Sequence, residues 1–149
     1  MITRPAVLAI ALLTVTLLFA ACATTPDELR SNPGGKLTLS VKRPYQQVYQ
    51  AVAERTRQCF LGDSHAYVSG DILTESRTAR VTARINALNG GVTTLWMVEV
   101  KSDGADATRL DVYYHYRWMS RIAAMVEDWA YERTYDCRAP QEYEITNPI

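Results

Sequence analysis

The sequence predicts an α+β domain in which an antiparallel β-meander of about five strands is covered on one face by two helices. Several short segments alternate apolar and polar residues, two longer segments repeat apolar residues at helical spacing, and Asn89-Gly90-Gly91 supplies a hairpin turn. The predicted order is strand, helix, four strands, helix. The apolar face of such a sheet needs a cover, which the two helices can provide.

Length and composition indicate one folded domain. The chain has 149 residues, of which 48% are hydrophobic and 21% are charged. These values exclude a disordered or low-complexity protein. Its 16 Lys and Arg residues balance 16 Asp and Glu residues. We expect no nucleic-acid partner, because phosphate binding requires a clustered excess of basic side chains.

The first strand and the first helix are predicted on either side of Pro44. Leu and Val alternate with polar residues from Leu37 to Val41, which is the period of a half-buried strand. Proline is favoured in the first turn of a helix, and apolar residues then recur at helical spacing. We therefore expect a helix from about Tyr45 to Cys59.

Four further strands are predicted between Ala66 and Tyr116. The first, from Ala66 to Leu73, has the weakest pattern because Gly70 and Asp71 interrupt it. The other three strands are centred on the alternating segments Ala79–Ala87, Trp96–Val100 and Arg109–Tyr116.

The last element is predicted as a single helix from about Arg117 to Asp136. Its 20 residues include no proline or glycine, and its apolar side chains lie close to one face. Cys137 would continue this apolar stripe, seven residues beyond Ala130.

The N-terminal segment has the features of a secretory signal. Arg4 is the only charged residue before Asp27, and an apolar run extends from Ala6 to Ala21. The run ends in Phe19-Ala20-Ala21-Cys22, which resembles the bacterial lipobox. The resemblance implies removal of residues 1–21 and diacylation of Cys22, which becomes the new N-terminus.

The lipobox resemblance implies a lipid-anchored protein of the outer membrane that faces the periplasm, if the source is Gram-negative. Ala23 follows Cys22, whereas an Asp there would resemble an inner-membrane retention signal. Residues 22–36 are predicted to form a flexible tether that sets the domain on the order of 20 Å from the membrane. The alternatives are an uncleaved anchor, for which the apolar run is short, and an ordinary signal that leaves Cys22 as a thiol.

The element order, the lipobox and the helical C-terminus together are similar to those of BamC-like and other envelope lipoproteins with small helix-grip domains. The predicted elements place the domain over residues 37–138 and leave a C-terminal tail over 139–149. The resemblance implies a non-enzymatic role in envelope assembly or partner binding. We expect no metal and no cofactor. The one stretch that resembles a catalytic triad, Asp63-Ser64-His65, is more simply a loop, because adjacent side chains diverge.

Cys59 and Cys137 form an even pair once Cys22 is assigned to acylation. In an oxidising compartment we predict a disulfide between them. It would close a loop of about 80 residues and contribute about 4 kcal/mol on the chain-entropy model. A metal-binding or catalytic pair is the alternative, but neither of the two histidines lies at ligand spacing from a cysteine.

The sheet face away from the helices is the candidate surface for an envelope protein partner. Alternation predicts that it carries Arg80, Arg84, Arg109, Tyr113 and His115. Tyrosine and arginine are enriched at binding hot spots. The same alternation equally describes the solvated face of any antiparallel sheet.

A carrier of a small apolar ligand is the alternative function, with the ligand held between the helices and the sheet. The residues that would line such a cavity are Trp96, Trp118, Met119, Met125 and Trp129. At these spacings the same residues also describe an ordinary packed core. A hydrolase is a third class, for which the sequence supplies no nucleophile, base and oxyanion donor together.

Overall fold

The structure is a computed structural model that describes residues 24–60, 65–87, 90–133 and 137. The predicted signal, Cys22, two members of the Asp63-Ser64-His65 stretch and the C-terminal tail lie outside the described residues. Within these ranges, no helix combines the length and apolarity that crossing a membrane requires.

The fold is a five-stranded antiparallel sheet with helices packed against it, which confirms the predicted α+β class. The strands are β1 (Gly35–Val41), β2 (Ala66–Leu73), β3 (Thr78–Asn86), β4 (Val92–Ser102) and β5 (Thr108–Tyr114). The helices are α1 (Pro26–Ser31), α2 (Tyr45–Phe60) and α3 (Arg121–Ala130), with a 3₁₀ helix at Arg117–Ser120.

The spatial order of the strands is β1-β5-β4-β3-β2. Strands β2 to β5 form the predicted meander, since each pairs with the next along the chain. β1 instead lies beside β5, with Leu37 opposite Val112. The crossover through α2 places the first strand at the far edge of the sheet, so the meander has four strands rather than five.

Helices α2 and α3 cover one face of the sheet, which we call the core face. Val52 of α2 and Val126 of α3 are fully buried there, against Val81, Val98 and Val112 of the central strands. Full burial of a side chain of this size contributes roughly 1.5–3 kcal/mol. The alternating apolar residues of the strands and the apolar stripes of the helices therefore meet in one core.

The prediction of one helix over Arg117–Asp136 is wrong at both ends. Its first turn is the 3₁₀ helix Arg117–Ser120, and α3 ends at Ala130. Cys137 therefore does not continue the apolar stripe of this helix, and the prediction that it would do so is wrong.

A Schellman motif ends α3. The N–H of Arg133 donates to the carbonyl of Asp128 at 3.0 Å, and the N–H of Glu132 donates to the carbonyl of Trp129 at 3.0 Å. Glu132 adopts the left-handed conformation that this motif requires, with φ of 54°. Glycine is the usual residue there, so the sequence carried no stop signal at this position.

Helix α1 lies within residues 22–36, for which the sequence predicts a flexible tether. The Thr25 hydroxyl accepts a hydrogen bond from the N–H of Glu28, whose carboxylate accepts one from the N–H of Thr25. This capping box holds the N-terminus of a six-residue helix. Leu29 is fully buried against Met97 and Tyr113 on the other face of the sheet. A single buried leucine forms no repeating pattern in the sequence, so hydrophobic periodicity could not predict the contact of Leu29 with the sheet.

Candidate functional site

The sheet face opposite the core face, which we call the second face, carries rows of polar side chains. Strand register forms a single row across all five strands, which consists of Asp71, Arg80, Glu99, Asp111 and Thr38. The neighbouring rows contain Lys101 beside Arg109 on one side, and Met97, Tyr113 and Lys36 on the other. Alternation along each strand thus concentrates charge at the centre of this face.

Glu99 and Asp111, which we call the carboxylate pair, are buried at the centre of the row. Their side chains are 10% and 2% exposed, respectively. They face each other directly across β4 and β5. Like charges in that position destabilise a sheet, and buried carboxylates lose hydration. The pair therefore requires compensating cations.

Lys101 bridges the two carboxylates. Its Nζ lies 2.9 Å from Oε2 of Glu99 and 3.2 Å from Oδ2 of Asp111. The Thr38 hydroxyl adds a hydrogen bond of 2.7 Å to Oδ1 of Asp111. A single ammonium group that contacts both acids removes most of their mutual repulsion.

Four more cations surround the carboxylate pair. Arg30 of α1 and Arg80 of β3 both form ion pairs with Glu99. Lys36 lies 3.7 Å and Arg109 lies 3.3 Å from Oδ1 of Asp111. With Lys101, these four residues form what we call the cationic rim. Arg30 comes from the segment predicted to be a tether, which is why the sequence did not indicate it.

The surroundings of the carboxylate pair determine how it titrates. Burial raises the pKa of Glu99, but the hydrogen bond and charge of Lys101 and the charge of Arg30 outweigh burial and leave the pKa below its ordinary value. Burial likewise raises the pKa of Asp111, while Thr38, Lys101 and Lys36 bring it below its ordinary value. The hydrogen bond to Glu99 raises the pKa of Lys101. All three groups are therefore charged at neutral pH.

The cationic rim leaves an excess of positive charge on the second face. Five cations surround the carboxylate pair, and the exposed Asp27 beside Arg30 and Asp71 opposite Arg80 bring the acids to four, so the net charge is +1. The rim side chains are between 35% and 54% exposed, whereas the carboxylates are almost inaccessible. A molecule that approaches this face therefore meets the cations of the rim and the exposed Asp27 and Asp71, and not the carboxylate pair.

A cavity of about 400 Å³ adjoins the cationic rim. Arg80, Glu99 and Lys101 form one wall, and Asp71 and Leu73 of the edge strand β2 form another. Leu73 is 61% exposed. The cavity thus combines two cations, Arg80 and Lys101, with the exposed Asp71, the buried Glu99 and an accessible apolar side chain.

The predicted partner residues do not all lie in this cluster. Arg80 and Arg109 belong to the cationic rim, and Arg84 lies farther along the second face, opposite Tyr67. Tyr113 is on the same face but only 5% exposed, because Leu29 covers it. His115 follows the end of β5. Among the described residues, the Arg84 Nε is a buried nitrogen without a hydrogen-bond partner.

The aromatic residues assigned to a ligand cavity occupy different environments. Trp96 and Trp129 are 1% and 3% exposed and pack against each other with ring centroids 6.1 Å apart. Met119 is buried in the same core. Trp118, by contrast, is 73% exposed and does not line the core. These contacts favour a packed core over a carrier site.

Cys59 and Cys137 are the described cysteines. Cys59 is half-buried on α2 and packs against the core, and Cys137 is exposed. Their disulfide stays a prediction. His65, the one described member of the Asp63-Ser64-His65 stretch, is exposed.

Comparison with known proteins found no related family for the chain. No protein-family model matches it, and no curated protein sequence matches it. The functional proposal therefore rests on the sequence and on the geometry of the second face.

Proposed function

We propose that this protein is a non-enzymatic lipoprotein of the outer membrane, anchored through Cys22, whose second face binds a protein partner in the periplasm. The cationic rim is the observation that carries the proposal. It offers five accessible cations around a carboxylate pair that a partner cannot reach. The partner segment that fits is acidic and carries at least one apolar side chain for the cavity beside Leu73.

The arrangement favours binding because the cations are held in place before a partner arrives. Each rim side chain already contacts Glu99 or Asp111, so less rotamer entropy is lost when it contacts a second carboxylate. The excess positive charge also attracts an acidic segment from a distance within the Debye length. We accordingly expect association to weaken as the salt concentration rises.

Crosslinking in envelopes followed by pull-down tests the proposal. The test variant combines Arg80→Ala with Arg109→Ala, which removes two rim cations and leaves Lys101 to bridge the carboxylates. The matched control is Arg57→Ala, which removes an exposed arginine on α2, away from the second face. Loss of interface anchors can cost 2 kcal/mol or more, which is about a thirtyfold loss of affinity.

Arg30, Lys36 and Lys101 still compensate the carboxylate pair in the double variant, and the ion pairs removed are partly exposed. We therefore expect the variant to lose its partners while its urea midpoint stays close to that of the control. Recovery of the same partners in the same yield from the double variant would contradict the proposal. The second face would then be an ordinary solvated surface.

A further inference from the structure

An aromatic patch follows β5. It consists of the half-buried His115 and the exposed Tyr116 and Trp118. The rings of Tyr116 and Trp118 stack with centroids 5.7 Å apart and 10° between their planes, and His115 meets Tyr116 edge-on at 4.4 Å. Tyr116 is 43% exposed and Trp118 is 73% exposed. The stacked rings of Tyr116 and Trp118 thus lie on the surface, outside the hydrophobic core.

The aromatic patch lies at the end of the sheet where the described chain begins. The N–H of Thr94 on β4 donates to the carbonyl of Thr24 at 2.8 Å. The N–H of His115 donates to the carbonyl of Leu95, the next residue of β4, at 2.8 Å. Thr24 and the patch are therefore attached to consecutive residues of one strand.

Cys22 is separated from Thr24 by a short length of chain. It precedes Thr24 by two residues, which span at most about 7 Å. Because α1 packs on the second face, the long tether predicted from the sequence does not separate Thr24 from the sheet. Acyl chains on Cys22 would hold this end of the domain at the membrane surface.

We propose that the aromatic patch enters the headgroup region of the membrane that anchors Cys22. This inference rests on the proposed acylation of Cys22. Tryptophan and tyrosine are enriched at membrane interfaces, because each ring has an apolar body and a polar tip. Arg117 and Arg121 are exposed beside the patch and are suited to contact anionic lipid phosphates. The occupant of the patch is thus a lipid surface.

The opposite end of the sheet provides a matched control position. Leu73 is the last residue of β2, about 20 Å along the strand from Ala66, and its side chain is also accessible. If the domain is oriented by the patch, Leu73 faces away from the membrane. A tryptophan placed there reports on that orientation.

Quenching of tryptophan fluorescence by brominated lipids tests the inference. The probe is the full-length protein, purified from its envelope and placed in vesicles of phosphatidylethanolamine and phosphatidylglycerol with bromine near the glycerol end of the acyl chains. Trp96 and Trp129 are buried, so the difference between wild type and Trp118→Phe reports on Trp118. We expect at least twofold more quenching in the wild type than in Trp118→Phe. The double variant that combines Leu73→Trp with Trp118→Phe should show no more quenching than Trp118→Phe alone.

The outcomes separate the inference from the proposed function. Metabolic acyl labelling is measured on the same samples, with Cys22→Ser as the unlabelled control. A labelled, vesicle-bound protein whose Trp118 is not quenched overturns the inference and leaves the anchor standing. Equal quenching at positions 118 and 73 also overturns it, since the domain is then not oriented. If Trp118 is shielded only after envelope protein is added to the vesicles, the patch contacts a protein and the inference is overturned too. A protein without label overturns both.

Discussion

At the scale of single residues, Asp111 shows how a buried acid can support a positively charged surface. Its side chain is 2% exposed and contacts Thr38, Lys101, Lys36 and Arg109. Charge-assisted hydrogen bonds of this kind are stronger than neutral ones. Asp111 itself is buried, but it determines where the more exposed cations around it are held.

Replacing Asp111 with Asn should lower stability by about 1–3 kcal/mol at pH 7, because the amide cannot compensate the surrounding cations. The carboxylates have folded pKa values below their unfolded ones, so they stabilise the fold fully above the unfolded pKa of about 4. That contribution is lost as pH falls through the folded pKa. Asp111→Asn should therefore lose less stability than wild type on acidification.

Urea unfolding between pH 7 and pH 2 measures both effects. Asp106→Asn is the control, since Asp106 is exposed in the loop between β4 and β5. A variant whose stability falls as steeply with acid as that of wild type would show that Asp111 does not contribute to the acid response.

At the scale of elements, α1 changes which side chains are exposed on the second face. It covers Tyr113 with Leu29 and adds Arg30 to the cationic rim. A helix of six residues is not stable alone, so its position depends on the capping box and on the burial of that one leucine. Just before this helix, and two residues after Cys22, the carbonyl of Thr24 accepts a hydrogen bond from the N–H of Thr94 on β4.

Leu29→Ala should release α1 from the sheet. We expect a loss of about 2 kcal/mol in unfolding free energy, at the lower end for a buried leucine because the cluster contains only Met97 and Tyr113 besides it. Amide exchange over residues 26–31 should become faster, while α2 keeps its protection. Leu73→Ala, at an exposed leucine, should change stability by less than about 0.5 kcal/mol. Unchanged exchange in α1 would mean that another contact holds it.

At the scale of the whole molecule, the two faces of the sheet carry different kinds of side chain. The core face carries the hydrophobic core under α2 and α3, and the second face carries the charges. The aromatic patch lies at one end of the sheet and the cavity beside Leu73 lies toward the other. A domain anchored at the first end would present the cavity and the cationic rim away from the membrane.

The predicted disulfide concerns the whole chain, because it would join α2 to the segment after α3. Reduction should lower the melting temperature, since opening the loop removes about 4 kcal/mol on the chain-entropy model. Mass mapping without reductant should find Cys59 and Cys137 in one linked peptide pair. Alkylation of both thiols in the unreduced protein would contradict the prediction and return attention to the metal and redox alternatives.

The sequence by itself determined the class of fold and the phase of its strands. Periodicity is local, so α2 was predicted to within one residue at its end, and Arg80 and Arg109 were placed on the face opposite the helices. The neighbours within the meander from β2 to β5 were also predicted, and only the tertiary structure decided that β1 lies beside β5 and where α1 packs. It also decided that Glu132 ends α3 in a left-handed conformation. The ion pair of Arg30 with Glu99 joins segments far apart in the chain. Such contacts depend on the completed sheet, and no local pattern encodes them.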